Sequence, residues 1–321
     1  MKSSPGKMLA LVFTGLVAGF ACTMAVATDA YPVKVVKLVT HSNPGSGSDV
    51  FLRRLSTRLG AIMGVKFIVV NEKGGSGSRA MALLAESKPD GSIFYATTPT
   101  FIFTSQLSSP KYTYKDLEPV VNVFSDQEIL YTRADGPYKT LKDVMDHARE
   151  GRGRWGAANP GSLERQALER LKEVSKVQAG VVTHSGGGEL LINVLNGTLD
   201  VGVGEYQELL SQVQSGQIRL LAVFADKRMQ ELPNLPTVKE SGYDVTVHKF
   251  RGIAGPKGLP PNVIAAWEKG VQAVLKDPAY MKIYKEDALT PDYMSHADYV
   301  PFIAKFAADS ATFFKTHGVT Q

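Results

Sequence analysis

The chain has almost no cysteine, since Cys22 is the only one among 321 residues. Cys22 lies in an N-terminal segment with the pattern of a removable leader, so the mature protein is predicted to have no disulfides, thiolate metal ligands or cysteine nucleophiles. Histidines are also few, and none of the six is paired with another at the spacing of a zinc site. We therefore expect neither a bound metal nor a cofactor.

The chain also lacks a strong charge of either sign. It has 36 basic and 31 acidic residues, a net charge of +5, and two of the lysines lie in residues 1–27, which hold no acid. A chain starting at Thr28 would have 34 basic and 31 acidic residues, a net charge of +3. So small an excess argues against nucleic-acid binding. The 44% hydrophobic content supports a packed core and excludes wholesale disorder.

Residues 1–27 have the pattern of a cleavable signal peptide. Lys2 and Lys7 supply a positive start, residues 8–21 form an apolar run, and small residues occupy positions 25–27. Cleavage after Ala27 would send the mature chain to the periplasm, a compartment without pools of ATP or NAD.

Two other interpretations of this segment are weaker. A membrane anchor needs about 20 apolar residues, and the run is shorter. Lipoprotein processing at Cys22 requires an aliphatic residue three positions upstream, where the chain has Gly19.

Glycine and serine are concentrated in loops that follow apolar strands. A unit of strand, Gly/Ser loop and helix occurs four times, in two pairs that are far apart along the chain. The predicted strands are residues 33–39, 67–70, 154–158 and 180–183, and the loops are residues 41–48, 71–78, 159–161 and 184–188. Strands that alternate with helices predict a mainly parallel sheet flanked by helices. Two separated pairs predict two such lobes, each of the α/β class.

The chain is predicted to pass between the lobes twice, at apolar stretches over residues 120–123 and 245–253. We therefore assign residues 28–125 and 247–321 to the first lobe and residues 126–246 to the second.

Each loop leads into a helix N-terminus, where backbone N–H groups lack helical partners and the helix dipole favours an anion. One such loop is typical of an ordinary capped turn, but four suggest two lobes that close on a small organic acid. Residues 75–80 fit the dinucleotide pattern Gly-x-Gly-x-x-Ala, yet the acid expected about 20 residues later, at the end of a following strand, is missing. A P-loop is excluded because no loop ends in Gly-Lys-Ser/Thr.

Candidate catalytic groups are sparse. His41 and His184 lie in loops of different lobes and are either hydrogen-bonded loop residues or donors to a ligand carboxylate. Asp49 is interpreted as the first-turn acid of its helix rather than a general base. Glu205 follows a strand at residues 199–203 and either faces the cleft or begins the next helix. The sequence contains no Gly-x-Ser-x-Gly elbow, and we predict no enzymatic activity.

Five short motifs occur in order along the chain. They are Pro-Gly-Ser-Gly-Ser-Asp at residues 44–49, Asn-Glu-Lys-Gly-Gly-Ser-Gly at 71–77, Lys-Pro-Asp-Gly at 88–91, Leu-Asn-Gly-Thr-Leu-Asp at 195–200 and Leu-Pro-Asn-Leu-Pro-Thr-Val-Lys-Glu-Ser-Gly at 232–242. In this order they resemble the solute-binding receptors of tripartite tricarboxylate transporters, also called Bug proteins. The resemblance covers essentially the whole mature chain.

The resemblance implies a type II-like, two-lobed periplasmic binding protein with its ligand cleft between the lobes. Members of that family bind small carboxylates through loop amides, hydroxyls and water, and deliver them to one large and one small membrane subunit. We expect a monomer that acts in the same way and has no nucleic-acid partner. The ligand-binding positions implied by the motifs, with Glu205 added from its own place in the sequence, are Ser46, Gly47, Ser48, Asp49, Ser76, Gly77, Ser78, Asn159, Ser162, Thr183, His184 and Glu205.

The chain departs from the family pattern at four positions. His41 is usually aromatic or apolar, His184 and Ser185 are usually Tyr and Lys, and Phe250 is often Trp. These changes leave the ligand open among dicarboxylates, tricarboxylates, acidic amino acids and aromatic acids.

The predicted loops contain few fixed positive charges. Lys73 and Arg79 are the two that lie near them in the sequence. We therefore expect recognition by neutral donors, without a buried arginine.

Two alternative functions use the same fold. The receptor could present its ligand to a membrane sensor kinase instead of a transporter. A periplasmic hydrolase would use His184 with Asp49 or Glu205, although the nucleophile motif that such an enzyme needs is missing.

Overall fold

The computed structural model describes Met1 and residues 31–316, so the predicted signal peptide lies outside the described residues apart from Met1. Strands and helices alternate over most of this range. The strands are β1 Val35–Thr40, β2 Lys66–Asn71, β3 Ile93–Thr97, β4 Leu117–Asp126, β5 Glu128–Arg133, β6 Gly153–Ala157, β7 Ala179–Thr183, β8 Val201–Glu205, β9 Ile218–Val223, β10 Lys249–Pro256 and β11 Thr290–Met294. The helices are α1 Gly47–Met63, α2 Ser78–Ala85, α3 Pro99–Leu107, α4 Leu141–Arg149, α5 Leu163–Ser175, α6 Gly187–Leu195, α7 Tyr206–Gln214, α8 Pro261–Val274, α9 Pro278–Glu286 and α10 His296–Thr316.

The strands form two separate sheets, one in each lobe. The first has the order β11-β4-β10-β3-β1-β2 and the second the order β7-β6-β8-β5-β9. Helices flank both sheets, and the predicted two-lobed α/β class is confirmed. Aromatic residues fill the interior of the first lobe, where the rings of Phe94 and Trp267 are 4.5 Å apart, and Trp155 is buried in the second.

Both sheets are mixed, and the expectation of mainly parallel sheets is wrong. In the first, β1 pairs in parallel with β2 and β3, whereas β10 pairs antiparallel with β3 and β4. In the second, β6 pairs in parallel with β7 and β8, whereas β5 is antiparallel to β8 and β9. The parallel pairs are those joined by the predicted strand–loop–helix units, because a parallel connection needs a crossover. The strands by which the chain passes between the sheets, β4, β5, β9 and β10, all lie in antiparallel pairs, as does β11.

The chain changes sheets at two neighbouring places. Strand β4 ends at Asp126 and β5 begins in the other sheet at Glu128, and the return strand β10 begins at Lys249. Lys249 lies opposite Asp126 in the register of β4 and β10. Charged residues therefore collect where the two sheets meet. The exact division of the chain at residues 125/126 and 246/247 remains a prediction beside these crossings.

Two helices begin earlier than the sequence predicts. Helix α1 begins at Gly47 instead of Asp49, and α6 begins at Gly187 instead of Glu189. The glycines assigned to the loops therefore supply the first free N–H groups of these helices. Within residues 31–316, no helix combines the length and hydropathy that a bilayer crossing requires.

Candidate functional site

A small cavity lies between the two sheets, where the N-termini of several helices meet. Its volume is about 20 Å³, enough for roughly one water molecule. Residues of both lobes line it: His41, Ser42, Ser46, Gly47, Ser48, Thr98, Thr100, Ala158, Asn159, Glu164, Gly187, Glu205, Glu208, Lys249 and Arg251. The cleft in this conformation is closed and has no room for an organic solute.

The structure brings five of the predicted site residues to this cavity. Ser46, Gly47 and Ser48 come from the start of α1 in the first lobe, and Asn159 and Glu205 from the second. The first loop and the loop after β6 therefore share one cleft, although more than 100 residues separate them.

A carboxyl group already occupies the N-terminus of α1. The Gly47 N–H donates to Oε1 of Glu208, which lies in the first turn of α7 in the other lobe. The lobes also touch beside this bond, because a Cβ placed on Gly186 would lie 3.6 Å from the Cβ of Ser46. The N-terminus of α1 thus binds the carboxyl group of Glu208, the kind of acceptor that helix N-termini favour.

Two buried cations lie beneath these groups, on β10. Lys249 Nζ donates to Oε1 of Glu128 and of Glu164, each at 2.7 Å, and also pairs with Glu205. All four side chains are at most 7% exposed. Lys249 belongs to the first sheet, whereas these acids come from β5, β8 and α5 of the second lobe, so Lys249 links the lobes.

Arg251 forms a second link of the same kind. Its Nε donates to Asp126 at 2.7 Å, its Nη1 donates to Ser48 Oγ at 2.8 Å, and its Nη2 pairs with Glu205. The side chain is 2% exposed. The expectation that Lys73 and Arg79 are the fixed positive charges near the site is therefore wrong: Arg79 is exposed and pairs with Glu72 at 2.9 Å.

Burial and close charges perturb the acids of the cleft. Burial raises the pKa of Asp126, Glu128 and Glu208, and for Glu208 the neighbouring Glu205 carboxylate raises it further. Burial alone would also raise the pKa of Glu205, but Lys249 and Arg251 hold it below its ordinary value. Glu205 and Glu208 form a hydrogen-bonded carboxyl pair, in which Glu208 is the member that keeps its proton to higher pH.

His41 lies in the cleft as a neutral group. Burial, with the charges of Arg251 and Lys249, lowers its pKa to about 3. The Tyr95 hydroxyl hydrogen-bonds to Nδ1 of His41 at 2.6 Å. His41 is thus a hydrogen-bonded histidine that also lines the cavity, and its donation to a ligand carboxylate stays a prediction.

Some predicted residues have structural partners instead of lining the cavity. The Asp49 carboxylate accepts bonds from Gly45 N–H, the Arg53 side chain and the Asn71 side chain. Ser162 caps α5, since its Oγ accepts from the N–H of Arg165 at 3.2 Å. Asp49 is thereby a first-turn acid, as the sequence indicates.

The second predicted loop also lies outside the cavity lining. The Ser76 carbonyl accepts a bond from Thr104 Oγ1 at 2.7 Å, and Ser76 has a φ of +50°. Gly77, with a φ of +98°, backs His41, and Ser78 is the half-buried first residue of α2. This loop supports His41 from behind.

The predicted residues at the end of β7 also lie outside the cavity lining. Thr183 is the half-buried last residue of β7. The His184 N–H donates to the Ala157 carbonyl at 3.1 Å, and its Nδ1 lies 3.8 Å from Oε1 of Glu189. Asp49, Glu205 and His184 therefore each have separate partners, and no hydrolase-like pairing among them is seen in the described residues.

Sequence reasoning missed the four charged residues that dominate the cleft. Lys249 and Arg251 stand in the largely apolar stretch at residues 245–253, which the sequence analysis interprets only as a crossing between lobes. Two cations in a buried strand are a usable signal, because a buried charge needs a partner. Glu164 and Glu208 carry no comparable signal, since first-turn acids are common on exposed helices.

A larger cavity of about 650 Å³ lies elsewhere, between the segment after β9 and helix α10. Its lining is mixed and includes Arg228, His248 and Asp309, and none of the predicted site residues. We place the site in the smaller cleft, because the helix N-termini and the buried charges meet there.

Comparison with known proteins agrees with the architecture. Residues 51–319 match the model of the tripartite tricarboxylate transporter family receptor. Among curated relatives, the UPF0065 protein in the gbd 5′ region of Cupriavidus necator is 25% identical over 280 residues, 86% of this chain and 85% of the relative. Protein BugT of Bordetella pertussis is 24% identical, with 83% and 84% of the two chains covered.

Solved structures have the same fold. The periplasmic binding protein BugD aligns with a TM-score of 0.84 at 24% identity, over 90% of this chain and 99% of its own. Rpa4515 of R. palustris with adipate gives 0.85 at 24% identity, over 90% and 98%. MatC from Rhodopseudomonas palustris with bound malate gives 0.73 at 22% identity, over 81% and 91%.

Proposed function

Because the chain belongs to the tripartite tricarboxylate transporter family of receptors, we propose that it captures a small organic carboxylate and delivers it to a transporter of that type. The proposed site is the cleft between the lobes, in the periplasm, and the proposed action is binding without chemical conversion. The division of the chain into two lobes near residues 126 and 247 belongs to the same proposal.

One observation supports a carboxylate as the solute. The N-terminus of α1 binds a carboxyl group within this molecule, because the Gly47 N–H donates to Glu208. A solute carboxylate offers the same acceptor oxygens, and hydrogen bonds to a charged acceptor are stronger than neutral ones. Adipate and malate in the two neighbouring structures are carboxylates of the size such a cleft would take.

Binding then requires the lobes to separate. The closed cavity of about 20 Å³ admits no solute, and Glu208 must leave Gly47 before another carboxylate can take its place. Such hinge motion about a few connecting strands is typical of two-lobed binding proteins. In this chain the hinge consists of the two connections beside Gln127 and Lys249.

Native mass spectrometry of the protein purified from its own periplasm tests the proposal. We expect one small organic acid per chain, released on denaturation and identified by its mass. The same acid added back to solute-free protein should raise the melting temperature, because a ligand that binds only the folded state stabilises it. A bound solute that contains no carboxylate would contradict the proposed class.

Delivery needs a second assay. Uptake of the identified acid by vesicles that contain the large and small membrane subunits should depend on the added receptor. Uptake that is the same with and without the receptor would contradict a role in transport.

A further inference from the structure

We propose that the solute carries a cationic nitrogen beside its carboxylate and has no net negative charge. This proposal rests on the proposed function and narrows its solute class to zwitterionic or cationic amino-carboxylates. It follows from the charges of the cleft, from the groups left without partners, and from the exchange that the solute must make with Glu208.

The cleft has more acids than bases. Five carboxyl groups surround two cations: Asp126, Glu128, Glu164, Glu205 and Glu208 around Lys249 and Arg251. His41 adds no positive charge, because it is held neutral. Removing an ionised carboxylate from water is costly unless a partner compensates it. The two cations therefore do not compensate all five acids of the solute-free site, and the pKa values of Asp126, Glu128 and Glu208 are raised.

Unpartnered polar atoms in the cleft are mainly acceptors. Glu164 and Asn159 line the cavity, and Oε2 of Glu164 and Oδ1 of Asn159 have no hydrogen-bond partner within residues 31–316. Glu164 is only 6% exposed, and behind it Oε2 of Glu128, which is 1% exposed, is also without a partner. Buried acceptors of this kind favour a ligand that donates hydrogen bonds.

The cleft already holds one ammonium group. Single oxygens of Glu128, Glu164 and Glu205 lie within 4.8 Å of one another, and the Lys249 ammonium contacts all three residues. An ammonium, with three N–H donors, is thus accommodated by the geometry of these carboxylates. A solute ammonium next to Glu208 and Glu164 would extend the same arrangement.

The solute carboxylate must also replace Glu208 as the acceptor of the Gly47 N–H. A solute carboxylate that replaces Glu208 at the Gly47 N–H leaves the Glu205 and Glu208 carboxyl groups beside each other without that donor. A dicarboxylate adds two negative charges to a cleft in which acids already outnumber bases, whereas an amino-carboxylate brings a cation beside which Glu208 can lose its proton. The exchange is then balanced in charge only when the solute has its own positive group.

Calorimetric titration of the solute-free protein with a matched four-carbon series tests this directly. The probes are succinate, aspartate, 4-aminobutanoate and 2,4-diaminobutanoate, whose net charges rise from −2 to +1 at neutral pH. We expect 4-aminobutanoate or 2,4-diaminobutanoate to bind at least tenfold more tightly than succinate, with aspartate between. Equal or tighter binding of succinate would overturn the proposal, as would a series in which no member binds.

Glu208→Gln provides the test at the residue. This variant keeps an acceptor for Gly47 but cannot become a carboxylate beside a solute ammonium. It should therefore weaken binding of the tightest amino-carboxylate by at least tenfold. The affinity for succinate should be unchanged or higher. Glu169→Gln is the matched control, because Glu169 lies on α5 and pairs with Lys172 outside the cleft. If Glu208→Gln does not fold by circular dichroism, Glu164→Gln should give the same loss. If a folded Glu208→Gln or Glu164→Gln variant still prefers the amino-carboxylate to succinate as strongly as the wild type does, the proposal is refuted.

The outcomes separate this proposal from the proposed function. Tight succinate binding, or a co-purified acid without nitrogen, leaves a carboxylate receptor and removes the amino-carboxylate claim. Tighter binding of 1,4-diaminobutane than of every carboxylate supports the cation site and contradicts the carboxylate class.

Discussion

Arg251 is the residue whose loss should cost the solute-free protein most. It is fully buried, and its removal leaves Asp126 in the interior without its cation and Glu205 with Lys249 alone. Breaking a buried pair from one side costs about 3–5 kcal/mol. We expect Arg251→Met to lower the free energy of unfolding in urea by about that amount.

Arg228→Met is the matched control for Arg251→Met. Arg228 pairs with Glu240 on the surface, where such pairs contribute about 0–1 kcal/mol. Equal losses in the two variants would show that Arg251 does not compensate buried charge.

Gly47 is required for closure rather than for folding of its own lobe. A Cβ at this position would lie 2.8 Å from Oε2 of Glu205 in the other lobe, which is closer than real Cβ contacts, and 2.5 Å from the end of the Arg251 side chain in its own lobe. Gly47→Ala should therefore hold the lobes apart, raise the radius of gyration of the solute-free protein in X-ray scattering and weaken solute binding at least tenfold.

Gly188→Ala separates this effect from helix propensity. Gly188 lies in the first turn of α6, and a Cβ there meets only the Pro44 carbonyl at 3.7 Å, an ordinary contact. We expect a near-native radius of gyration and affinity. A Gly47→Ala protein as compact as the Gly188→Ala protein would contradict the role in closure.

At the residue scale, the sequence predicted the loop residues of the site better than its charges. Ser46, Gly47 and Asn159 were found because Gly/Ser loops before helices have a local signature. Glu208 and Arg251 were not, because their role depends on which strand and helix of the other lobe they meet. Such pairings are set by the crossing of the chain and leave no pattern along it.

At the scale of the elements, Ser162 acts as the N-cap of α5. Ser162→Ala should lower the free energy of unfolding by about 1 kcal/mol, the usual cost of losing such a cap, and leave solute affinity unchanged. Thr140→Ala, at the N-cap of α4, should destabilise to a similar extent. A tenfold loss of affinity in Ser162→Ala alone would return Ser162 to the binding site.

Element types were predictable where local rules determine them. The strand–loop–helix units of β1–α1 and β6–α5 follow from apolar periodicity and capping residues. The antiparallel half of each sheet was not predictable in this way. The chain passes from β4 to β5 and from β9 to β10 without an intervening helix, and the directions of these strands follow from that passage between lobes. The early start of α1 at Gly47 also reflects its contact with Glu208 of the other lobe.

At the scale of the whole molecule, the buried acids predict how stability depends on pH. Burial and Glu205 raise the pKa of Glu208 in the folded protein, so the folded state binds this proton more tightly than the unfolded chain does. The resulting stability is present below the ordinary glutamate pKa and is lost as the pH rises through the raised value. The raised pKa of Glu128 makes stability fall with rising pH in the same way. The lowered pKa of Glu205 has the opposite effect, since stability is lost as the pH falls, and only below about pH 4.5.

We therefore expect the melting temperature of the solute-free protein to fall between pH 5 and pH 8. Glu208→Gln should reduce this fall, because glutamine retains a neutral group that cannot lose the proton, and each pKa unit corresponds to about 1.4 kcal/mol. Glu169→Gln should leave the pH profile unchanged. A profile in Glu208→Gln as steep as that of the wild type would count against Glu208 as a source of the effect.

A disulfide across the cleft tests the central claim, that the solute enters between the lobes, most directly. A Cβ on Gly186 would be 3.6 Å from the Cβ of Ser46, within the usual disulfide range. Ser46→Cys with Gly186→Cys, in the mature chain that is predicted to have no other cysteine, should therefore close the cleft on oxidation. The solute released from the wild-type protein is then offered to the oxidised and the reduced form of the same solute-free variant, with bound solute counted by native mass spectrometry. The reduced form should take up one solute per chain and the oxidised form none. Equal uptake by both forms would contradict a binding site between the lobes.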